Sequence, residues 1–381
     1  MRKIQRIIKG FQQGLLTIAG ATAIVANLQL GDVGYAVAGG ENPQPNSASP
    51  VQGFAQKKEP IDSKHLIDPE LLKFYKNAPP AGDINAGNVA QLNQIFIAQS
   101  KFFQEPASAG VKVVKQIING PSGNRIGLLL YFPDDNQVKL RPGILHIHGG
   151  GFVVGTADMN EGYCKKMAKD LNAVVVSVDY RLATVAPFPG PLEDSYAALV
   201  WMSREHKKLG IDQSKLAVTG ESAGGGLAAQ LAFLVRDRKE VSIVLQYLTQ
   251  PMLDDRTGVT NEVSPLLGQF IWTRGSNQFG WSTYLNKPAG ASSVPYPAVP
   301  ARIENLEGIA PCYIVSGALD LLLIENIAYA QRLASQGVAT EIHVYPGALH
   351  GFMSAATIEL SKNYYEERKK VFRRAFATVA E

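Results

Sequence analysis

The stretch Thr219-Gly220-Glu221-Ser222-Ala223-Gly224-Gly225-Gly226 decides the fold. It follows a short β-branched run, Leu216 to Thr219, and leads into an apolar run from Ala223 to Arg236 with the spacing of a helix. A serine on such a tight strand-to-helix turn sits in strained backbone with other backbone packed close by, which is why the G-x-S-x-G pattern needs small neighbours. Among 36 glycines a lone match to that pattern is weak. Its place between a strand and a helix strengthens it, and what lies on either side strengthens it further.

Upstream, His148-Gly149-Gly150-Gly151-Phe152 follows the apolar run Gly143 to Ile147. Successive glycines after a buried strand leave peptide N–H groups bare, able to stabilise an oxyanion that develops beside a nucleophile. Each such donor typically lowers a barrier by about 3 kcal/mol. Downstream, a base must take the serine proton, and imidazole is the side chain with a suitable pKa. Of six histidines, His350 sits in the turn Gly347 to Phe352 just past the last expected strand, at the sheet edge that also carries Ser222. His343 falls within that strand, His206 near a helix end, and His65 in the N-terminal segment. His146 and His148 form an H-x-H pair with no supporting ligand cluster, so no metal is expected, and His148 is read as a brace for the glycine loop. The imidazole needs a carboxylate, and Asp320 follows the strand Cys312 to Ser316 at the same edge. Its alternative role is to cap the next helix. Glu325, the nearest rival, falls inside that helix. The order Ser222, Asp320, His350 is the one expected of α/β hydrolases.

The rest of the chain agrees. From residue 111 short β-branched runs alternate with helical ones, the pattern of a mostly parallel sheet flanked by helices. Eight strands are expected: Val111–Ile118, Gly127–Phe132, Gly143–Ile147, Ala173–Asp179, Leu216–Thr219, Val241–Tyr247, Cys312–Ser316 and Glu341–Tyr345. Helices are expected at Glu161–Leu171, Pro191–Glu205, Ala223–Arg236, Ile324–Gln336 and Ser361–Val379. Two regions break the alternation: residues 61–104, with helices at Pro69–Lys76 and Val89–Phe103, and the long segment 251–304. Structureless loops of that length are rare, so the second is expected to fold as a cap over one end of the sheet. Its Phe270, Trp272, Phe279, Trp281 and Tyr284 are read as cap core ahead of substrate contacts.

A chain of 381 residues, 46% hydrophobic and 18% charged, can bury a large core. Its formal charge of +4 is concentrated at the start, because Arg2, Lys3, Arg6 and Lys9 are offset only by Asp32 before residue 39, which leaves +1 for the remainder. That near neutrality argues against nucleic acid or an anionic membrane as partner. The same basic stretch, the apolar run Gly14 to Leu30 and Ala36-Val37-Ala38 form the three parts of a secretory signal over residues 1–38, with an uncleaved anchor as the alternative. An exported protein, periplasmic or secreted, is expected. Residues 39–60, rich in Gly, Pro, Asn, Ser and Gln, read as a flexible linker before a domain over 61–381. Cys164 and Cys312 read as two buried thiols.

With these residues in hand, the chain resembles the hormone-sensitive lipase-like esterases, the bacterial carboxylesterase group that includes arylacetamide deacetylase-like enzymes. The resemblance runs from about Ile67 to the C-terminus through HGGGF, GESAGG, Val178-Asp179-Tyr180-Arg181-Leu182-Ala183, Pro187-Phe188-Pro189, Leu192-Glu193-Asp194, Gly317 to Asp320 and His350-Gly351-Phe352. It implies an oxyanion hole from the N–H groups of Gly150, Gly151 and Ala223, a cap built from the N-terminal helices and residues 251–304, and hydrolysis of small-molecule esters with short to medium acyl chains without a cofactor. Departures fall beside the triad: Glu221 stands where Asp is frequent, Leu321 to Ile324 replace Pro-Leu-Arg-Asp, and Thr184-Val185-Ala186 replaces Pro-Glu-His. The same residues would serve an amidase or deacetylase. A non-catalytic binding protein, as in the gibberellin receptors, would lack the triad histidine that is present here.

Overall fold

The computed structural model describes residues 62–75, 82–102, 110–134 and 140–377. The expected signal over 1–38 and the linker over 39–60 lie outside them. Among the described residues no helix is long and apolar enough to cross a membrane.

Eight strands form one sheet: β1 (Val111–Asn119), β2 (Arg125–Pro133), β3 (Arg141–Ile147), β4 (Val174–Asp179), β5 (Ile211–Glu221), β6 (Leu245–Thr249), β7 (Cys312–Gly317) and β8 (Thr340–Tyr345). Their spatial order is β1-β2-β4-β3-β5-β6-β7-β8. Pairing is antiparallel between β1 and β2 and between β2 and β4, and parallel from β4 to β8. The helices are α1 (Pro69–Phe74), α2 (Val89–Phe102), α3 (Glu161–Leu171), α4 (Gly190–Arg204), α5 (His206–Leu209), α6 (Ala223–Arg238), α7 (Arg274–Leu285), α8 (Leu323–Ser335) and α9 (Glu359–Ala377).

The sheet is covered on both faces, so its central strands β6 and β7 are buried along their whole length. Successive side chains alternate between the faces. Leu145 and Ile147 of β3 join a core with Leu192 and Leu199 of α4 and Leu227 and Leu231 of α6. Between them, His146 points to the face held by α3 and α9, where its ring lies 5.6 Å from Tyr163, and Tyr247 of β6 packs 5.1 Å from Phe372. Local signals set the helix ends. Asn172 and Gly210 stop α3 and α5 in the left-handed conformation, and the side chain of Thr273 accepts from Ser276 N at the start of α7.

One expected strand is displaced. Val241 to Tyr247 was the apolar run, yet β6 spans Leu245–Thr249. Val241 and Ile243 are buried in the approach to the strand, and a buried residue outside the ladder has the same sequence signature as one inside it.

Chain order places β4 on one side of β3 and β5 on the other, so the connections diverge between β3 and β5. In open α/β sheets that point, outside the carboxyl ends of the strands, is where ligands bind. Ile147 pairs with Gly220 there, which sets the glycine loop level with the Ser222 turn.

Candidate active site

Ser222 is the hinge between β5 and α6, with φ 56° and ψ −121°. A non-glycine residue at positive φ is strained, and here the surrounding backbone enforces it. Ser222 N donates to Thr249 O at 2.9 Å, and Ser222 O accepts from Gly226 N and Met252 N at 3.0 Å each. The flanking glycines are required by space. A Cβ on Gly224 would lie 2.0 Å from Ile147 O, and one on Gly220 would lie 2.4 Å from Gly224 C.

His350 follows β8 and Asp320 follows β7. His350 Nε2 is 3.0 Å from Ser222 Oγ, and His350 Nδ1 is 2.9 Å from Asp320 Oδ2. The second carboxylate oxygen, Oδ1, accepts from Leu322 N at 3.1 Å. Asp320 thus meets the imidazole with one oxygen and the entry to α8 with the other, so the two roles read from sequence are combined. All three side chains are buried, with Ser222 and His350 each 8% exposed. Glu325 is elsewhere: its Oε1 accepts from Leu253 N at 2.7 Å and Asp254 N at 3.3 Å, and burial pushes its carboxyl well above the usual range.

The glycine loop lies against this group. A Cβ on Gly149 would come 2.9 Å from Glu221 O and 3.4 Å from Ser222 Cβ. Gly150 has φ +114°, and a Cβ there would strike Val154 O at 2.0 Å. Gly150 O accepts from Val153 N and Val154 N, closing the loop. Among the described residues, the N–H groups of Gly150, Gly151 and Ala223 have no backbone acceptor outside their own elements. His148 braces the loop as expected of it: Nδ1–H donates to Gly149 O at 2.8 Å, and its ring stacks on Tyr180 at 4.2 Å. Burial lowers its pKa to about 4, so the ring is neutral. Tyr180 OH donates to His148 O at 3.0 Å.

His146 does something different. Its Nε2 lies 2.9 Å from Glu221 Oε2, and its Nδ1 3.0 Å from Ser177 Oγ. Asn160 Nδ2 donates to the same carboxylate oxygen at 3.1 Å. Burial works against the charged ring, yet Cys164 and then Glu221 outweigh it and hold the pKa up at about 10. The H-x-H pair is therefore divided between two tasks, His146 on β3 and His148 in the glycine loop that follows it. Among the described residues no three His, Cys, Asp or Glu side chains are placed to hold a metal ion. Cys164 and Cys312 are separate buried thiols.

Two residues were not singled out as site neighbours from sequence. Trp272, read with the aromatic core of its segment, lies 6.0 Å from the His350 ring, and a Cβ on Gly151 would meet its Cη2 at 2.3 Å. Trp281 and Tyr284 follow the expectation instead, packing 5.1 and 4.2 Å from Phe152. Gln250, just past β6, hydrogen-bonds both peptide groups that flank His350. A lone polar residue in a loop carries no periodicity by which to find it.

A mostly parallel sheet with a strained serine turn, a histidine and an acid on successive strand ends defines an α/β hydrolase. The family model described as alpha/beta hydrolase fold matches residues 144–354. Esterase LipI of Mycobacterium tuberculosis is 34% identical over 303 residues, covering 78% of this chain and 91% of that one. Arylacetamide deacetylase of Oryctolagus cuniculus is 30% identical over 345 residues, covering 72% and 85%. The solved structure of a bacterial heroin esterase superposes with a TM-score of 0.76 at 33% identity, covering 82% of this chain and 99% of that one. The chain belongs to this family, among its hormone-sensitive lipase-like esterases, and is a carboxylic ester hydrolase.

Proposed function

We propose that the chain is a serine esterase that cleaves short- to medium-chain esters of small molecules through an acyl-enzyme. The observation that carries this reading is the unbroken relay from Ser222 Oγ to His350 Nε2 at 3.0 Å and from His350 Nδ1 to Asp320 Oδ2 at 2.9 Å. Ser222 Oγ attacks the ester carbonyl while His350 takes its proton, and Asp320 stabilises the imidazolium. The oxygen of the tetrahedral intermediate is received by the N–H groups of Gly150, Gly151 and Ala223. Collapse expels the alcohol, which takes the proton from His350. Water, deprotonated by His350, then attacks the acyl-enzyme and releases the acid. No step needs a cofactor.

Residues 61–104 and 251–304 serve as a cap in this reading. Contacts between them support it: Ile84 N donates to Ser276 Oγ at 2.9 Å, and Ser63 Oγ donates to Gln269 Oε1 at 2.9 Å. The segment also brings Trp272 against the glycine loop, so the acyl group meets an aromatic wall close to Ser222. An amide could enter the same relay, and the likeness to an arylacetamide deacetylase supports trying one.

The test is a p-nitrophenyl ester series from acetate to palmitate, run beside p-nitroacetanilide and with Ser222→Ala, Asp320→Asn and His350→Ala checked for folding. Activity should peak on short to medium acyl groups. It should disappear in the Ser222 and His350 variants and fall by roughly 10³- to 10⁴-fold in kcat for Asp320→Asn. Equal turnover in wild type and Ser222→Ala would reject the assignment. For location, we propose export with cleavage after Ala38, resting on the composition of residues 1–38. N-terminal sequencing of protein from the periplasmic or culture fraction checks it, and an intact Met1 there would overturn it.

A further inference from the structure

Gln250 is 1% exposed and holds a backbone φ of +47°. Left-handed backbone costs a side-chain-bearing residue about 1 kcal/mol or more, and it persists only where the surroundings fix it. Its own N–H donates to Val315 O of β7 at 2.7 Å. That conformation turns the side-chain amide onto the loop of His350. Nε2 donates to Leu349 O at 3.0 Å, and Oε1 accepts from Gly351 N at 2.7 Å. These are the carbonyl immediately before the imidazole-bearing residue and the amide immediately after it. A carbonyl needs a donor and an N–H needs an acceptor, so only one orientation of the glutamine amide satisfies both.

The loop needs such a constraint. His350 lies between Gly347 at φ +66° and Gly351 at φ +71°, two positions where the chain has wide conformational freedom. Gly317, which precedes Asp320 on β7, faces the same amide, because a Cβ there would lie 2.9 Å from Gln250 Nε2. Gln250 therefore stands between the strand end that carries the acid and the turn that carries the base. Neither its sequence position nor the mechanism above assigns it a task.

We propose that Gln250 is a positioning residue, whose side-chain amide clamps both peptide groups around His350 and so sets the imidazole between Ser222 and Asp320. The inference rests on the reading of those three residues as the catalytic relay. Displacing a reacting group by about 1 Å can cost about 10²-fold in rate, so the clamp acts on kcat and leaves substrate binding nearly untouched.

Gln250→Glu tests this in a way that a simple stability role does not. An ionised carboxylate still accepts from Gly351 N but faces Leu349 O with a second acceptor. The protonated acid restores the pattern, because its O–H donates to Leu349 O while its carbonyl accepts from Gly351 N. The clamp in this variant thus exists only while the introduced acid is protonated. The titratable groups around it are His350 on the turn, Asp320 beyond β7 and, across Thr249, Tyr364, whose OH lies 3.2 Å from Thr249 Oγ1. All three are present in wild type, so the variant-to-wild-type ratio reads only what the introduced acid changes.

The experiment measures kcat and KM for p-nitrophenyl butyrate from pH 5 to 9, with active sites counted by complete labelling with a fluorophosphonate. The kcat ratio of Gln250→Glu to wild type should approach one at the acid end and fall tenfold or more as pH rises. Gln250→Ala should lose about 10- to 100-fold in kcat at every pH, with KM within about twofold. A ratio for Gln250→Glu that stays flat with pH, or full kcat per labelled site in Gln250→Ala, overturns the clamp. Turnover in wild type that does not depend on Ser222 overturns the relay instead, and Ser222→Ala in the same assay tells the two failures apart.

Discussion

At the scale of single residues, the most consequential side chain outside the relay is Trp272. It is 5% exposed, its Nε1–H donates to Asn277 Oδ1 at 3.1 Å, and Asn277 Nδ2 in turn donates to Thr257 O at 3.0 Å. The indole is thereby held against Gly151 and the His350 ring, where in the proposed reaction it would stand beside the acyl chain. Cutting it back should admit longer chains, since each buried methylene is worth about 0.8 kcal/mol. In Trp272→Ala and Trp272→Leu, kcat/KM for p-nitrophenyl decanoate relative to acetate should rise about tenfold or more. The leucine variant controls for the roughly 3–5 kcal/mol of stability that a buried Trp→Ala change costs. An unchanged chain-length profile would show that the indole is only a packing residue. The serine, acid, base and glycine loop were legible in the sequence because each has a motif with fixed chemistry at a strand end. Trp272 and Gln250 were not, because what matters in them is which backbone they face, and that is settled by tertiary packing of distant segments.

At the scale of elements, the sheet reads through its pairings. Seven of the eight expected strands lie where β-branched runs predicted, and Glu161–Leu171 is a helix with the expected ends. The antiparallel direction of β1 and β2 was not legible, since buried apolar runs look alike in either direction. Nor was the bond that ties β3 to β5 across the sheet, from His146 to Glu221. The surroundings of His146 give a signed prediction. Against burial, Cys164 and then Glu221 raise its folded-state pKa from the usual 6.5 to about 10, so the stabilisation these two partners give together is fully present below pH 6.5 and is lost as pH rises toward 10. Urea unfolding of wild type and His146→Gln should show the widest gap near pH 6, closing by about pH 10. A gap that is constant across that range would mean that His146 contributes through packing alone. Glu221 adjoins Ser222 in sequence, so the departure from the more frequent Asp is matched here by a partner on the neighbouring strand.

At the scale of the whole molecule, the question is where the working unit begins. The described residues 63–74 and those from 82 onward share one compact unit, and the first of these segments reaches the turn that carries His350. Asp68 N donates to Gly347 O at 3.1 Å, at the base of the His350 turn, and Leu71 is fully buried. Ser63 N and Oγ both donate to Gln269 Oε1, at 3.0 and 2.9 Å, which ties the start of this segment to the stretch that carries Trp272. Glu70 Oε2 accepts from Glu359 N at 2.8 Å, at the start of α9. A chain shortened to residues 61–381 keeps every one of these contacts and is the reference for a shorter one. Shortening it to residues 82–381 removes the Leu71 side chain, whose burial alone is worth about 1.5–3 kcal/mol, together with the brace beneath His350. That form should melt several degrees lower and lose kcat more than it raises KM, because the base loses its support while the glycine loop and Ser222 turn remain. If instead the two shortened forms matched in melting temperature and kcat, residues 63–74 would be a surface strap with no part in holding the relay.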